Sequence, residues 1–93
     1  MAEQRRVHLI IKGIVQGVFF RAYVRQTAID ANVAGWVRNL YDGSVEAVFE
    51  GNKNDVEIAM AKCYKGPSAS VVEGIDIKWE EYVGEFSFFS IRY

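Results

Sequence analysis

A run of nine residues, Gly13-Ile14-Val15-Gln16-Gly17-Val18-Phe19-Phe20-Arg21, holds the residue types best suited to chemistry in this 93-residue chain. It follows an apolar stretch, Val7 to Lys12, that reads as a strand, and it precedes a helical pattern from Phe20 to Ala31. A glycine-bracketed turn therefore joins a strand to a helix, with an arginine at the helix start. Backbone N–H groups at a helix N-terminus have no intrahelical partner, and the helix dipole makes that end positive. Glycine lets further N–H groups converge on one point, because no Cβ intervenes. Arg21 adds a planar fork of donors. Together these parts suit a phosphate or a similar oxyanion. The same residues also fit a plain connection, with Gly13 and Gly17 shaping the turn and Arg21 as a solvated first-turn residue. A cation in the first turn opposes the dipole unless an anion sits there, and local physics leaves both readings open. The run is not a P-loop, since no Gly-Lys-Ser/Thr follows its last glycine, and it lacks the G-x-G-x-x-G spacing of a dinucleotide site.

The remaining chemistry-bearing residues are few. His8 is the one histidine and Cys63 the one cysteine, which exclude multi-histidine metal chemistry, an internal disulfide and a Cys-x-x-Cys site. His8 reads as a strand-face residue and Cys63 as a small buried hydrophobe. The 12 acidic residues are dispersed, and a net charge of −1 does not suggest a general nucleic-acid or membrane surface. Apolar runs fall far short of a membrane span, and the polar stretch Met1 to Arg6 has no signal-peptide core behind it, so a cytoplasmic protein is expected.

These residues must be positioned by elements that the pattern also indicates. Val7, Leu9 and Ile11 alternate with His8, Ile10 and Lys12, as on an inner strand. Phe20, Val24, Ala28 and Ala31 share one face of the first helix, and Asn32 is a plausible left-handed stop. Val33 to Asn39 reads as a strand, Asp42-Gly43 as a hairpin turn, and Ser44 to Glu50 as the returning strand. Asn39 thus ends a strand just before a turn, where an asparagine commonly satisfies turn backbone. Asn54 is expected to cap the second helix with Glu57 in a capping box. Val56, Ala59, Met60, Cys63 and Tyr64 form that helix's apolar face, and Gly66-Pro67 stops it. Val71 to Glu81 is extended with a possible bulge at Gly74, and Ser87 to Tyr93 is a last strand whose aromatic residues suit sheet and core packing. The order is β-α-β-β-α-β plus a terminal strand. Two strand–helix–strand halves match an α+β, ferredoxin-like split βαβ plan, with a mainly antiparallel sheet and both helices on one face, in one domain over residues 1–93.

The motifs Gly13-x-Val15-Gln16-Gly17-Val18-x-Phe20-Arg21, Gly35-Trp36-Val37-Arg38-Asn39, Asp42-Gly43-x-Val45-Glu46, Gly66-Pro67 and Ile91-Arg92-Tyr93, in this order, resemble the acylphosphatase family across essentially the whole chain. The resemblance implies hydrolysis of the carboxyl–phosphate bond of acylphosphates to carboxylate and phosphate, without metal or cofactor. It implies that the N–H groups of Gln16, Gly17, Val18, Phe19 and Phe20, with Arg21, hold the phosphoryl oxygens. It assigns Asn39 to orient the attacking water, and makes inorganic phosphate a product and competitive inhibitor. Arg38 is expected as a surface charge and Trp36 as packing. Two departures stand out. Phe19 occupies a position where the family often has a small residue, commonly glycine, and Asn32 stands where glycine usually follows the helix.

Two other classes remain in view. A non-catalytic phosphate-binding or regulatory domain would result if Phe19 closed the site to substrate. An RNA-binding module is opposed by the net charge and by the absence of an aromatic and basic RNP1-like run. The chain stops directly after the last strand, which favours a free-standing enzyme, and a monomer is expected. It also raises the expectation that the Tyr93 carboxylate lies near an arginine.

Overall fold

The structure is a computed structural model that describes residues 3–93. Seven elements follow one another: β1 (Gln4–Ile14), α1 (Phe20–Asp30), β2 (Ala34–Asn39), β3 (Val45–Asn52), α2 (Lys53–Lys65), β4 (Val71–Glu80) and β5 (Phe89–Ile91). They form one five-stranded sheet in the order β4-β1-β3-β2-β5. All neighbours are antiparallel except β2 and β5, which run parallel. Both helices lie on one face, so the α+β, ferredoxin-like plan read from the sequence is the observed one.

The alternation along each strand decides the layering. Val7, Leu9 and Ile11 of β1 and Val45, Ala47 and Phe49 of β3 point to the helix side and are fully buried. They meet Phe20, Val24 and Ala28 of α1 and Val56, Ala59 and Cys63 of α2 in one core. Each large side chain so buried contributes on the order of 1.5–3 kcal/mol. No helix among the described residues is long and apolar enough to cross a membrane.

Several boundaries differ from the sequence reading, each for a local reason. The second helix is capped by Asn52, whose Oδ1 accepts the N–H of Asn54 at 3.0 Å; Asn54 itself lies inside the helix, and no capping box with Glu57 forms. The cause is that β3 pairs with β1 as far as Asn52, opposite Gln4, so strand passes to helix with no loop between them. Tyr64 is half exposed rather than part of the buried stripe, because α2 packs over β1, β3 and β4 at the sheet margin and its far side meets solvent. The last strand shortens to Phe89–Ile91, which pairs with Gly35 to Val37 of β2. Of its aromatics only Phe89 enters the core, with its ring 5.6 Å from that of Phe49, while Phe88 and Tyr93 are exposed.

Gly13 also has a different duty from the one its place in the turn suggests. It lies within β1 at φ 130°, where a Cβ would come within 2.1 Å of the Val71 carbonyl oxygen. The pairing of β1 with β4 shifts there, Lys12 opposite Gly74 and then Gly13 opposite Val72, which leaves Glu73 as the bulged residue. Gly13 thus serves sheet closure, and the bulge expected at Gly74 falls beside it.

The connection from β4 to β5 must cross from one sheet edge to the other, and it does so over the face without helices. Glu50, on that face of β3 and almost wholly buried, holds it down: Glu50 Oε2 accepts the N–H groups of Val83 at 3.0 Å and Gly84 at 3.1 Å. Arg6 of β1 joins Glu50, Glu80 and Glu85 in one cluster. Burial pushes the Glu50 carboxyl upward, but the Val83 and Gly84 N–H groups and the Arg6 guanidinium outweigh it and hold the group below its ordinary 4.5. A depressed folded-state value stabilises the fold above the ordinary carboxylate range, and that contribution is lost as pH falls through the folded-state value. Glu50→Gln should therefore cost about 1–3 kcal/mol near neutral pH. Denaturant unfolding across pH 7 to pH 3 should show the gap from the wild type closing toward the acid end.

Candidate active site

The turn that opens α1 has alternating backbone handedness. Gly17 has φ 73° and Phe19 has φ 61°, while Val18 between them is not left-handed. Alternation of this kind makes successive N–H groups converge into a concavity that receives an anion. The first helical hydrogen bond runs from the N–H of Tyr23 to the carbonyl of Phe19 at 3.0 Å. Among the described residues none of the N–H groups of Gln16 to Phe20 donates to a backbone or side-chain acceptor across the turn. Gly17 supplies its conformation without strain. Phe19 does not: a left-handed L-residue costs roughly 1–2 kcal/mol, and a bulky one is an outlier. Phe20, next to it and 1% exposed, anchors the turn in the core.

Arg21 follows on the first helical turn, which carries no acidic residue. Among the described residues it has no carboxylate partner; its guanidinium carbon sits 5.0 Å from the centroid of the Tyr93 ring. The aromatic ring of Tyr93, rather than its carboxylate, is what meets an arginine. An unneutralised guanidinium beside unpaired N–H groups at a helix N-terminus makes this end of the molecule strongly attractive to an anion.

Asn39 comes from a different element. Gly35, Val37 and Asn39 alternate on the helix-facing side of β2, Asn39 opposite buried Val45, so the last residue of β2 leans toward the turn. One cavity of about 310 Å³ is lined by Gly17, Phe19, Phe20, Arg21, Asn39 and Tyr93, among others. Gln16 borders an adjoining groove that shares Asn39 and Tyr93. The structure therefore brings together Gln16, Gly17, Phe19, Phe20, Arg21 and Asn39. Val18 lines neither space, and its side chain packs against the core.

The other candidates lie elsewhere. His8 is on the open face of the sheet, with Nε2 2.7 Å from Glu46 Oε2, and Arg38 reaches the same carboxylate from β2. Trp36 is buried on that face between the guanidinium groups of Arg38 and Arg92, 5.3 Å and 4.5 Å from its ring. Cys63 is enclosed in the core, and burial pushes its thiol up to about 12, which makes it an inert hydrophobe.

Two features of the site were not evident from the sequence. The first is the Gln16 side chain. Its Nε2 donates to the carbonyl oxygens of Leu40 at 2.7 Å and Ser44 at 2.8 Å, tying the anion turn to the β2–β3 hairpin that carries Asn39. The second is the Tyr93 ring, for which the alternation Phe89, Ile91, Tyr93 was the available signal. The hairpin is closed independently, by Leu40 N–H on the Ser44 carbonyl and by Asp42 Oδ1 accepting the Ser44 N–H, each bond near 3 Å.

This chain and its fold correspond to a known class. The acylphosphatase family model matches residues 7–91. An acylphosphatase of Syntrophus aciditrophicus is 52% identical over 96% of this chain and 93% of its own. One of Roseiflexus is 50% identical over 98% of both chains. The crystal structure of acylphosphatase from Bacillus subtilis superposes with a TM-score of 0.92 at 34% identity, over 96% of this chain and 99% of the other. The chain belongs to the acylphosphatase family, and with it to the hydrolases.

The Gln16 bridge predicts an ordered series. Gln16→Ala removes one donor from each of two turn carbonyls, which keep their hairpin bonds from the Gly43 and Leu40 N–H groups, and should lower stability by about 0.5–1.5 kcal/mol. Gln16→Glu should be worse, because a carboxylate would then face two carbonyl oxygens with no donor between them. Thermal unfolding and turnover of the two variants, measured side by side, check the order.

Proposed function

We propose that this chain hydrolyses the carboxyl–phosphate bond of acylphosphates, giving a carboxylate and inorganic phosphate. The observation that carries the reading is the pairing of Arg21 and the unpaired N–H groups of residues 16–20 on one wall of a cavity with Asn39 on another. In this reading the N–H groups and Arg21 hold the three non-bridging oxygens of the phosphoryl group. Charge on those oxygens rises or is redistributed in the transition state, so preorganised donors stabilise it without later rearrangement. Asn39 accepts a hydrogen bond from a water and aims its oxygen at phosphorus. The water oxygen forms the new P–O bond as the bond to the acyl oxygen breaks. The carboxylate departs with the bonding pair, and the water's protons remain with phosphate. A carboxylate is a weak base, so its departure needs no strong general acid, and positioning supplies much of the rate.

Phosphate, the product, fits the same cradle and is a competitive inhibitor in this reading. A monomer formed by a single domain is the assembly expected in this reading. The buried free thiol of Cys63 suits a reducing, cytoplasmic compartment. Phe19, 86% exposed, lines the cavity and leaves about 310 Å³ of it open. That observation disfavours a closed, purely regulatory site.

Two substitutions separate the roles. Arg21→Gln should abolish both phosphate binding and turnover. Asn39→Ala should lower kcat by on the order of 10²–10³ while phosphate still binds. Hydrolysis of benzoyl phosphate with EDTA present, together with phosphate titration by calorimetry, reads both. A near-normal kcat in Asn39→Ala would remove the water-orienting role.

A further inference from the structure

Phe19 holds a conformation that opposes its residue type and leaves its ring in water. A left-handed backbone suits glycine or asparagine, and a phenyl ring that is 86% exposed gains little from burial. Neither core packing nor the cradle explains the side chain, since the N–H that faces the anion would be present in any residue but proline. Strain kept at a pocket mouth points to a use for the group that causes it. A second exposed aromatic lines the same cavity: Tyr93, 99% exposed, with its ring centroid 5.0 Å from the Arg21 guanidinium carbon. The polar groups of the site, Arg21 and Asn39, share the cavity with these two rings. A substrate with its phosphoryl group in the cradle must direct its acyl group outward, toward the mouth they flank.

We propose that Phe19 is the specificity-determining residue of this site. Its ring, with that of Tyr93, forms a seat for the acyl group, so that acylphosphates with a flat aromatic acyl group are taken in preference to small ones such as acetyl phosphate. This rests on reading the cavity as an acylphosphate site. Offset or edge-to-face contact between aromatic rings, together with the apolar area removed from water, is the attraction such a seat offers.

The test uses uncleavable isosteres in which CH2 replaces the bridging oxygen: phenacylphosphonate for the aromatic acyl group and acetonylphosphonate for the small one. Both carry the same phosphonate, so any change in the cradle itself cancels in the ratio of their Kd values. The wild type should bind the aromatic probe about three- to ten-fold more tightly. Phe19→Gly and Phe19→Asn, which both accommodate a left-handed backbone, should bring the ratio toward one. Phe19→Asn should also raise the melting temperature, where a purely structural role for the ring would lower it. No preference in the wild type, or an unchanged ratio in both variants, would overturn the assignment. Benzoyl phosphate turnover is measured separately: a clear preference in binding without turnover would sustain the seat and defeat the catalytic reading.

Discussion

The constraint on which this molecule depends is a short turn whose N–H groups find no acceptor among the described residues. Buried or converging backbone donors ordinarily have partners, because an unpaired one forfeits its hydrogen bond to water. Here two left-handed residues, Gly17 and Phe19, hold the donors together at the positive end of α1. The arrangement is unfavourable in isolation, and in the proposed reading an oxyanion supplies the missing acceptor. The rest of the structure keeps it in place. Phe20 pins it to the core, β1 leads into it from the sheet centre, and Gln16 ties it to the hairpin.

The sheet separates the charges that this turn requires from those that would cancel it. Glu46 and Glu50 face the open side, where they pair with His8, Arg38 and Arg6, and Glu80 and Glu85 join Arg6 there. A chain of net charge −1 can thus present an arginine with no acidic neighbour at its site. The same acids stabilise the fold, since Glu50 fastens the strap that carries the chain from β4 across to β5. That strap brings β5, and beyond it Tyr93, to the rim of the cavity. A structural ion-pair cluster on one face and the proposed anion site on the other are thereby products of one alternation along the strands.

The two departures from the family pattern have unequal consequences. Asn32, which the sequence resemblance places where glycine is expected, adopts φ 60° after α1, a geometry that asparagine tolerates. Phe19 adopts nearly the same angle without that tolerance. The asparagine is a neutral exchange, whereas the phenylalanine keeps strain at the mouth of the site.

Much was legible in the sequence because it rests on short-range regularities. Period-two alternation gave β1, β3 and β4, a 3.6-residue stripe gave α1, and Asp42-Gly43 gave the hairpin. The anion turn was legible as well, since glycine, a helix start and Arg21 are contiguous. Other features depend on residues far apart in the chain. That Asn52 rather than Asn54 caps α2 follows from pairing with Gln4, and the extent of β5 from its pairing with Gly35 to Val37 of β2. Gly13 reads as a turn glycine until Val71 is seen against it. The local sequence by itself determined the glycine turn, the helix start with its cation and the elements around them, because those properties come from neighbouring residues and backbone geometry. Only the tertiary structure decided that Asn39 faces the cradle, that Gln16 fastens the two together, and that Tyr93 stands at the rim. Those relations arise where a sheet edge, a hairpin and a strand end converge, and no spacing along the chain encodes that convergence.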